Sequence, residues 1–272
     1  MKQLHIKKLS GHVGAEISDV SLADLSPETF TAIQSALYEH GVIFFRDQHL
    51  TPEQHLAFAK RWGKIDVSRF FKAVEGYPEI AEIRTQPDQK IVVGSGWHTD
   101  QSFDPAPAMA SILSAQELPE FGGDTLFASM TAAYDQLSDG LKKTFENLNA
   151  WHTDDSFAKA ESVLPDVFSA QERKGGCFHP VILKHPVTGR KALYVNDYFT
   201  THFEGWTEEE SAPLLKYLYN YATQPPFCCR FTWTPGCVAM WDNRLVMHYA
   251  AGDYYGQTRL MHRVTIEGVP LS

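Results

Sequence analysis

From Ile80 onward the chain is written in short β-rich runs: Ile80 to Ile83, Met109 to Leu113, Thr125 to Ala128, Val181 to Lys184 and Ala192 to Val195, then Cys228 to Trp233, Val238 to Trp241 and Leu260 to Ile266. Clusters of Gly, Pro and Asp divide them. Many short strands punctuated in this way suggest a barrel or jelly roll, mainly β with flanking helices. Two helical patterns interrupt the series, at roughly Thr131 to Leu148 and Thr207 to Ala222, the second opened by a capping box from Thr207 to Glu210. A doubly wound sheet would need regular βαβ alternation and a GxGxxG after a strand, and neither is present.

The N-terminal part supplies helices of its own. Ser26-Pro27 caps and starts one, in which Phe30, Ile33 and Leu37 recur at helical spacing until Gly41, and Val42 to Phe45 follows as a buried strand. Thr51-Pro52-Glu53-Gln54 is a capping box for another, with Leu56, Ala59 and Trp62 on its apolar side. No repeat, low-complexity tract or linker cuts the chain, so one domain over residues 1–272 is expected.

A formal charge of −9 argues against a nucleic-acid or anionic-membrane surface. No run approaches the length of a membrane span, and the N-terminus lacks the apolar core of a signal peptide. Cys177, Cys228, Cys229 and Cys237 form no CxxC and no disulfide framework, so a reducing cytoplasm is the simplest setting. Assembly into a dimer or tetramer stays open.

The chemistry starts at Trp97-His98-Thr99-Asp100. On extended backbone, residues i and i+2 point to one face, so His98 and Asp100 could grip one ion together. The same four letters recur as Trp151-His152-Thr153-Asp154, which follows a helical pattern and leads into a stretch, Asp155 to Glu161, that reads as a surface loop. A third ligand should come from a later strand, and His248, ending a β-like segment from Trp241, is the leading candidate; a histidine alone in such a place is more often a core residue bonded to the backbone. Two histidines and one carboxylate on one face leave octahedral positions open, the arrangement suited to non-haem Fe(II). In the last strand Arg259, Met261, Arg263 and Thr265 share one face, so two arginines could serve two anions in one cavity.

The run from His98 to Asp100, Gly122-Gly123-Asp124-Thr125-Leu126-Phe127, Trp241-Asp242-Asn243-Arg244, His248 and Gln257 to Arg263 together resemble the taurine dioxygenase (TauD/TfdA) family, as do Gly41 to Arg46 and Ala192 to Asn196. The resemblance implies a double-stranded β-helix, a cupin-like jelly roll. It implies an Fe(II)- and 2-oxoglutarate-dependent dioxygenase, consuming O₂ and yielding succinate and CO₂. By it His98, Asp100 and His248 are the iron ligands, Thr125 and Arg259 hold the far carboxylate of 2-oxoglutarate, and Arg263 anchors the acid group of the substrate.

Against the taurine enzymes, Ser68 stands where they carry a substrate-binding histidine and Gly94 where they carry an asparagine. Phe71 replaces a tyrosine. Phe157 and Phe199 match aromatic pocket positions, with Ser156 beside the former, while Lys72 to Ile80 resembles relatives acting on aryloxyalkanoic acids. The expected substrate is therefore a small anionic compound with an apolar body, such as an aryloxyalkanoic acid, a sulfonate or an alkyl sulfate, hydroxylated and in some cases thereby cleaved. Taurine is the alternative. From another class, a zinc- or manganese-dependent hydrolase or isomerase on a similar barrel would use the same three side chains. A silent small-acid binder is disfavoured by the full ligand set, and an iron halogenase by Asp100, because halogenases lack that carboxylate.

Overall fold

The computed structural model describes residues 4–156 and 175–271. Its largest sheet runs, neighbour to neighbour, through His5–Lys8, Ala15–Ser18, Val42–Phe45, Val238–Asp242, Ala110–Glu117, Arg259–Ile266, Tyr77–Thr85 and Ala73–Val74, with Ile65–Asp66 also paired to Arg259–Ile266. A three-stranded sheet of Cys228–Phe231, Thr125–Ser129 and Val246–Ala250 packs against it. Strands remote in sequence lie side by side, and among the described residues every strand pair is antiparallel except Ala15–Ser18 with Val42–Phe45. This is the expected jelly roll.

Alternation along the strands decides what each sheet buries. Val42 and Phe44, Ala239 and Trp241, Leu113 and Ala115, and Met261 point inward and meet Phe127, Phe231 and Val246 of the smaller sheet. Their neighbours Ile43, Phe45, Val238, Met240, Ile112, Val264 and Ile266 face the other way, under the helices Pro27–His40 and Pro52–Lys60. The large sheet is thus covered on both faces. That is why Val42 to Phe45 is apolar without a break.

Both N-terminal helices begin as their sequences direct, Ser26 accepting the Thr29 N–H and Thr51 closing a reciprocal box with Gln54. Glu208–Ala222 likewise follows a Thr207–Glu210 box. The helical stretch expected from Thr131 to Leu148 is instead two helices, Met130–Gln136 and Asp139–Phe145, because Ser138 caps a new start by accepting the Leu141 N–H. A further sheet not read from the sequence orders Gly176–Pro180, Asn149–Thr153 and Thr200–Phe203. All four cysteines are free, and among the described residues no helix is long and apolar enough to cross a membrane.

Candidate active site

His248 sits in the strand Val246–Ala250, and His98 lies outside any strand yet pairs with it. The two exchange main-chain hydrogen bonds, His98 N to His248 O at 3.1 Å and His248 N to His98 O at 2.8 Å, forming an isolated bridge. Their rings come within 4.1 Å, centroid to centroid. Asp100, two residues on, brings Oδ1 to 4.0 Å from His98 Nε2 and 3.9 Å from His248 Nε2. One ligand atom from each of the three lies within 4.8 Å of the others, and all three residues are buried.

The protonation states suit a cation. His98 Nδ1 is 2.7 Å from the Gly96 carbonyl, which can only accept, so Nδ1 carries the proton and Nε2 keeps its lone pair. Burial lowers the His98 pKa, with Asp100 opposing, and burial reinforced by His98 pushes His248 well below the ordinary imidazole value. Burial would raise the Asp100 carboxyl, but the Arg263 guanidinium at 2.9 Å and the Ser111 hydroxyl at 2.6 Å from its two oxygens help hold it well below the usual carboxylate range. Two neutral imidazoles and an ionised carboxylate facing one point are a donor set for a divalent first-row metal with positions left open.

The three residues lie at one side of a cavity of ≈ 800 Å³, its open mouth included, a size that holds two small organic molecules. Thr125 and Arg259 also line it. Thr125 Oγ1 accepts the Trp233 indole N–H at 3.0 Å, leaving its own proton to give. Arg259 donates from Nε to the Gly123 carbonyl at 3.1 Å, while its Nη2 is buried with no partner among the described residues. Burial lowers its pKa, but a guanidinium stays charged in proteins, so Arg259 is a cation with an unused donor. A Cβ on Gly123 would lie 3.2 Å from Arg259 Cδ, and its φ of +69° already favours glycine.

Arg263 enters the same cavity from the same strand face, two turns of the alternation further along. It is no surface ion pair: its side chain is 14% exposed, its Nη1 is bound to Asp100, its Cζ lies 5.0 Å over the Phe71 ring, and its Nε is buried without a partner among the described residues. Phe71, Gly94 and Phe199 line the cavity as well. At Gly94 φ is +81° and a Cβ would stand 3.3 Å from His98 Cε1, so any side chain there would press on the imidazole.

Ser68 is not among the lining residues; its hydroxyl accepts the N–H groups of Phe70 and Phe71 and shapes the turn that presents them. Ser156 is likewise not part of the lining, and Phe157 lies outside the described residues. Phe70, Tyr198 and Leu113 join the wall without having been singled out in the sequence, since an aromatic or aliphatic residue carries no local mark of the cavity it faces. The second Trp-His-Thr-Asp is itself largely buried. His152 belongs to the strand Asn149–Thr153, with 0% exposure, and Asp154 follows at 1%; Asp155 and Ser156 then begin a helix, and the rest of that stretch lies outside the described residues.

Residues 5–265 match the model of the taurine catabolism dioxygenase TauD, TfdA family. The chain belongs to the TauD/TfdA family. An alkylsulfatase of Acinetobacter baylyi is 35% identical over 98% of this chain and 86% of its own length. A (S)-phenoxypropionate/α-ketoglutarate dioxygenase of Sphingobium herbicidovorans is 35% identical over 98% of this chain and 96% of its own. Among solved structures, a putative α-ketoglutarate-dependent taurine dioxygenase from Burkholderia xenovorans superposes with a TM-score of 0.85 at 35% identity, covering 98% of this chain and 93% of that one. TauD/TfdA relatives carry the names of α-ketoglutarate-dependent dioxygenases, and this chain is an oxidoreductase of that kind. The family implies 2-oxoglutarate and O₂ as cosubstrates beside a metal-binding His-Asp-His site.

Proposed function

We propose that the chain, as one domain spanning residues 1–272, uses Fe(II) held by His98, Asp100 and His248 to hydroxylate a small organic anion with an apolar body: an aryloxyalkanoic acid, a sulfonate or an alkyl sulfate. The observation that carries this reading is the pair of buried guanidinium donors, Arg259 Nη2 and Arg263 Nε, without partners among the described residues and beside the three converging ligand atoms. An unsatisfied buried guanidinium N–H is costly, and a carboxylate, sulfonate or sulfate satisfies it through charge-assisted hydrogen bonds. Two such donors in one cavity call for two anions. With Thr125, Arg259 would take the distal carboxylate of 2-oxoglutarate; Arg263 would take the acid group of the substrate.

When bound, Fe(II) supplies the oxidising power that O₂ and the decarboxylation of 2-oxoglutarate to succinate and CO₂ make available. The protein's own part is placement. Arg263 holds the anion, and Phe70, Phe71, Leu113 and Phe199 enclose the rest of the molecule so that one C–H bond lies near the ligand triad. Where that carbon bears the oxygen of an ether or ester, the hydroxylated product collapses and cleaves.

Against taurine itself stand Ser68, which does not line the cavity, and Gly94, which has no side chain to offer an amine. The carboxylate in the wall, Asp100, is already bound by Arg263 and Ser111. The free cysteines agree with a cytoplasmic location. The test is anaerobic binding of Fe(II) and 2-oxoglutarate by visible absorption, followed by a succinate-release screen over sulfonates, sulfate esters, aryloxy acids and taurine. Succinate release requiring Fe(II), 2-oxoglutarate and O₂ together separates this reading from a zinc or manganese hydrolase. A response to taurine alone would overturn the substrate assignment.

A further inference from the structure

We infer that Ser111 and Asn243 are positioning residues for the carboxylate of Asp100, fixing which of its oxygens faces the two histidines; this rests on the metal-site reading above. The proton directions follow from one another. Asn243 Oδ1 accepts the Trp241 indole N–H at 3.0 Å and the main-chain N–H of Asp100 at 3.1 Å. Both partners can only donate, so that side of the amide is its oxygen. Its nitrogen, Nδ2, therefore faces Ser111 Oγ at 3.4 Å and donates to it. The single hydroxyl proton of Ser111 goes to Asp100 Oδ2, 2.6 Å away. Oδ1, which also accepts the Arg263 Nη1 proton at 2.9 Å, is the oxygen turned toward His98 Nε2 and His248 Nε2.

Local structure makes this cluster rigid. Ser111 lies directly opposite Trp241 in the strand register, on the inward face it shares with Leu113. Both Ser111 and Asn243 are 0% exposed, so no bulk water competes for their bonds. Asn243 occupies the turn between Val238–Asp242 and Val246–Ala250. That turn is pinned by Asp242, whose carboxylate takes Arg244 through two bonds of 2.8 and 2.6 Å and the His185 ring at 3.1 Å. On the other side of Asp100, Gln101 holds a left-handed φ of 56° with its amide donating to Asp66 at 2.6 Å. The backbone carrying Asp100 is thus constrained before and after the carboxylate.

The consequence concerns the number of positions the carboxylate fills. With Oδ2 occupied by a hydroxyl proton, Asp100 would offer one oxygen to a metal and leave the other positions to the cosubstrates. A carboxylate released from that bond is free to turn either oxygen, or both, toward the ion.

The experiment compares wild type, Ser111→Ala, Ser111→Cys and His98→Ala, each loaded anaerobically with Fe(II) and 2-oxoglutarate. Metal affinity is measured by titration, the visible absorption band of the complex reports coordination, and a thermal melt reports folding. Ser111→Ala is expected to melt cooperatively, bind Fe(II) about 10- to 100-fold more weakly and shift the band. Ser111→Cys, which keeps the volume and a weak donor, should fall between the two; if the alanine variant does not fold, the cysteine variant carries the test. A folded Ser111 variant with wild-type affinity and an unshifted band overturns the inference. If wild type and His98→Ala bind Fe(II) alike, the metal site itself is misassigned. If only His98→Ala loses the metal, the site stands and the role of Ser111 falls.

Discussion

The chain spells Trp-His-Thr-Asp twice, and both copies show the same burial: a half-exposed tryptophan followed by three buried residues. What differs is the company of the histidine. His98 meets the strand Val246–Ala250 through its bridge to His248, and beyond Asp100 the chain turns away, leaving one side of the imidazole to the cavity. His152 is hemmed in on both sides, paired in register with Cys177 and with Thr200, its Nδ1 at 3.0 Å from Ser102 Oγ. Neither spacing nor burial makes a ligand. An open coordination face opposite a second donor does.

The sharpest way to break this contrast is to remove one imidazole at a time. His98→Ala or Asp100→Ala should abolish Fe(II)-dependent succinate release, a loss of more than about 10³-fold of the kind seen when a group essential to the chemistry goes, while the fold persists. His152→Ala should keep one bound Fe(II) per chain. Retained turnover in the first pair, or loss of metal in the last, would erase the distinction between the two copies.

Arg263→Ala comes next in size. Removing a buried donor to an anion costs about 2–4 kcal/mol, or roughly 30- to 1000-fold in the half-saturating concentration of the acid substrate, a larger change than for 2-oxoglutarate, whose far carboxylate is assigned to Arg259. Steady-state titration of both checks it, and an unchanged response to the acid would mean the anchor lies elsewhere. His152→Ala belongs on a different axis: it leaves buried partners unsatisfied and should lower stability by about 1–3 kcal/mol in denaturant melts.

Acid offers the mildest probe. His55, His98, His152 and His248 are all held neutral by burial, His55 with a pKa lowered to about 4. The unfolded chain therefore takes up protons that the folded one refuses, so stability is full above the ordinary imidazole pKa near 6.5 and declines as pH falls toward 4. Saturating metal should raise the melting temperature of wild type most near neutral pH and least toward pH 4, because protons compete for the imidazoles, and should leave His98→Ala unchanged. Melting temperatures across this window, with and without Fe(II) under anaerobic conditions, would show whether the two copies differ as described.

The sequence spoke clearly where the signal was local. The caps at Ser26, Thr51 and Thr207 act within one turn, and the alternation from Arg259 to Ile266 states both faces of its strand, so these were legible. Ser138 was not, because its cap sits inside a run whose helical pattern continues across it. The sheet around Asn149–Thr153 was also missed, since His152 is a buried polar residue whose partner, Ser102, comes from a distant part of the chain. Ser111 is the extreme case: a serine in a strand carries no mark of the carboxylate opposite until the register is known.

The bridge between His98 and His248 has one more consequence. It is made of main chain, so the separation of the proposed donors is dictated by the sheet before any ion arrives, unlike small domains whose ligands find each other only around their metal. The donors also come from regions far apart in sequence, and they meet only once Val246–Ala250 has docked. An unfinished or unfolded chain should chelate poorly. On the proposed assignment, metal loading would be the last step of maturation, available to the completed barrel and withheld from its precursors.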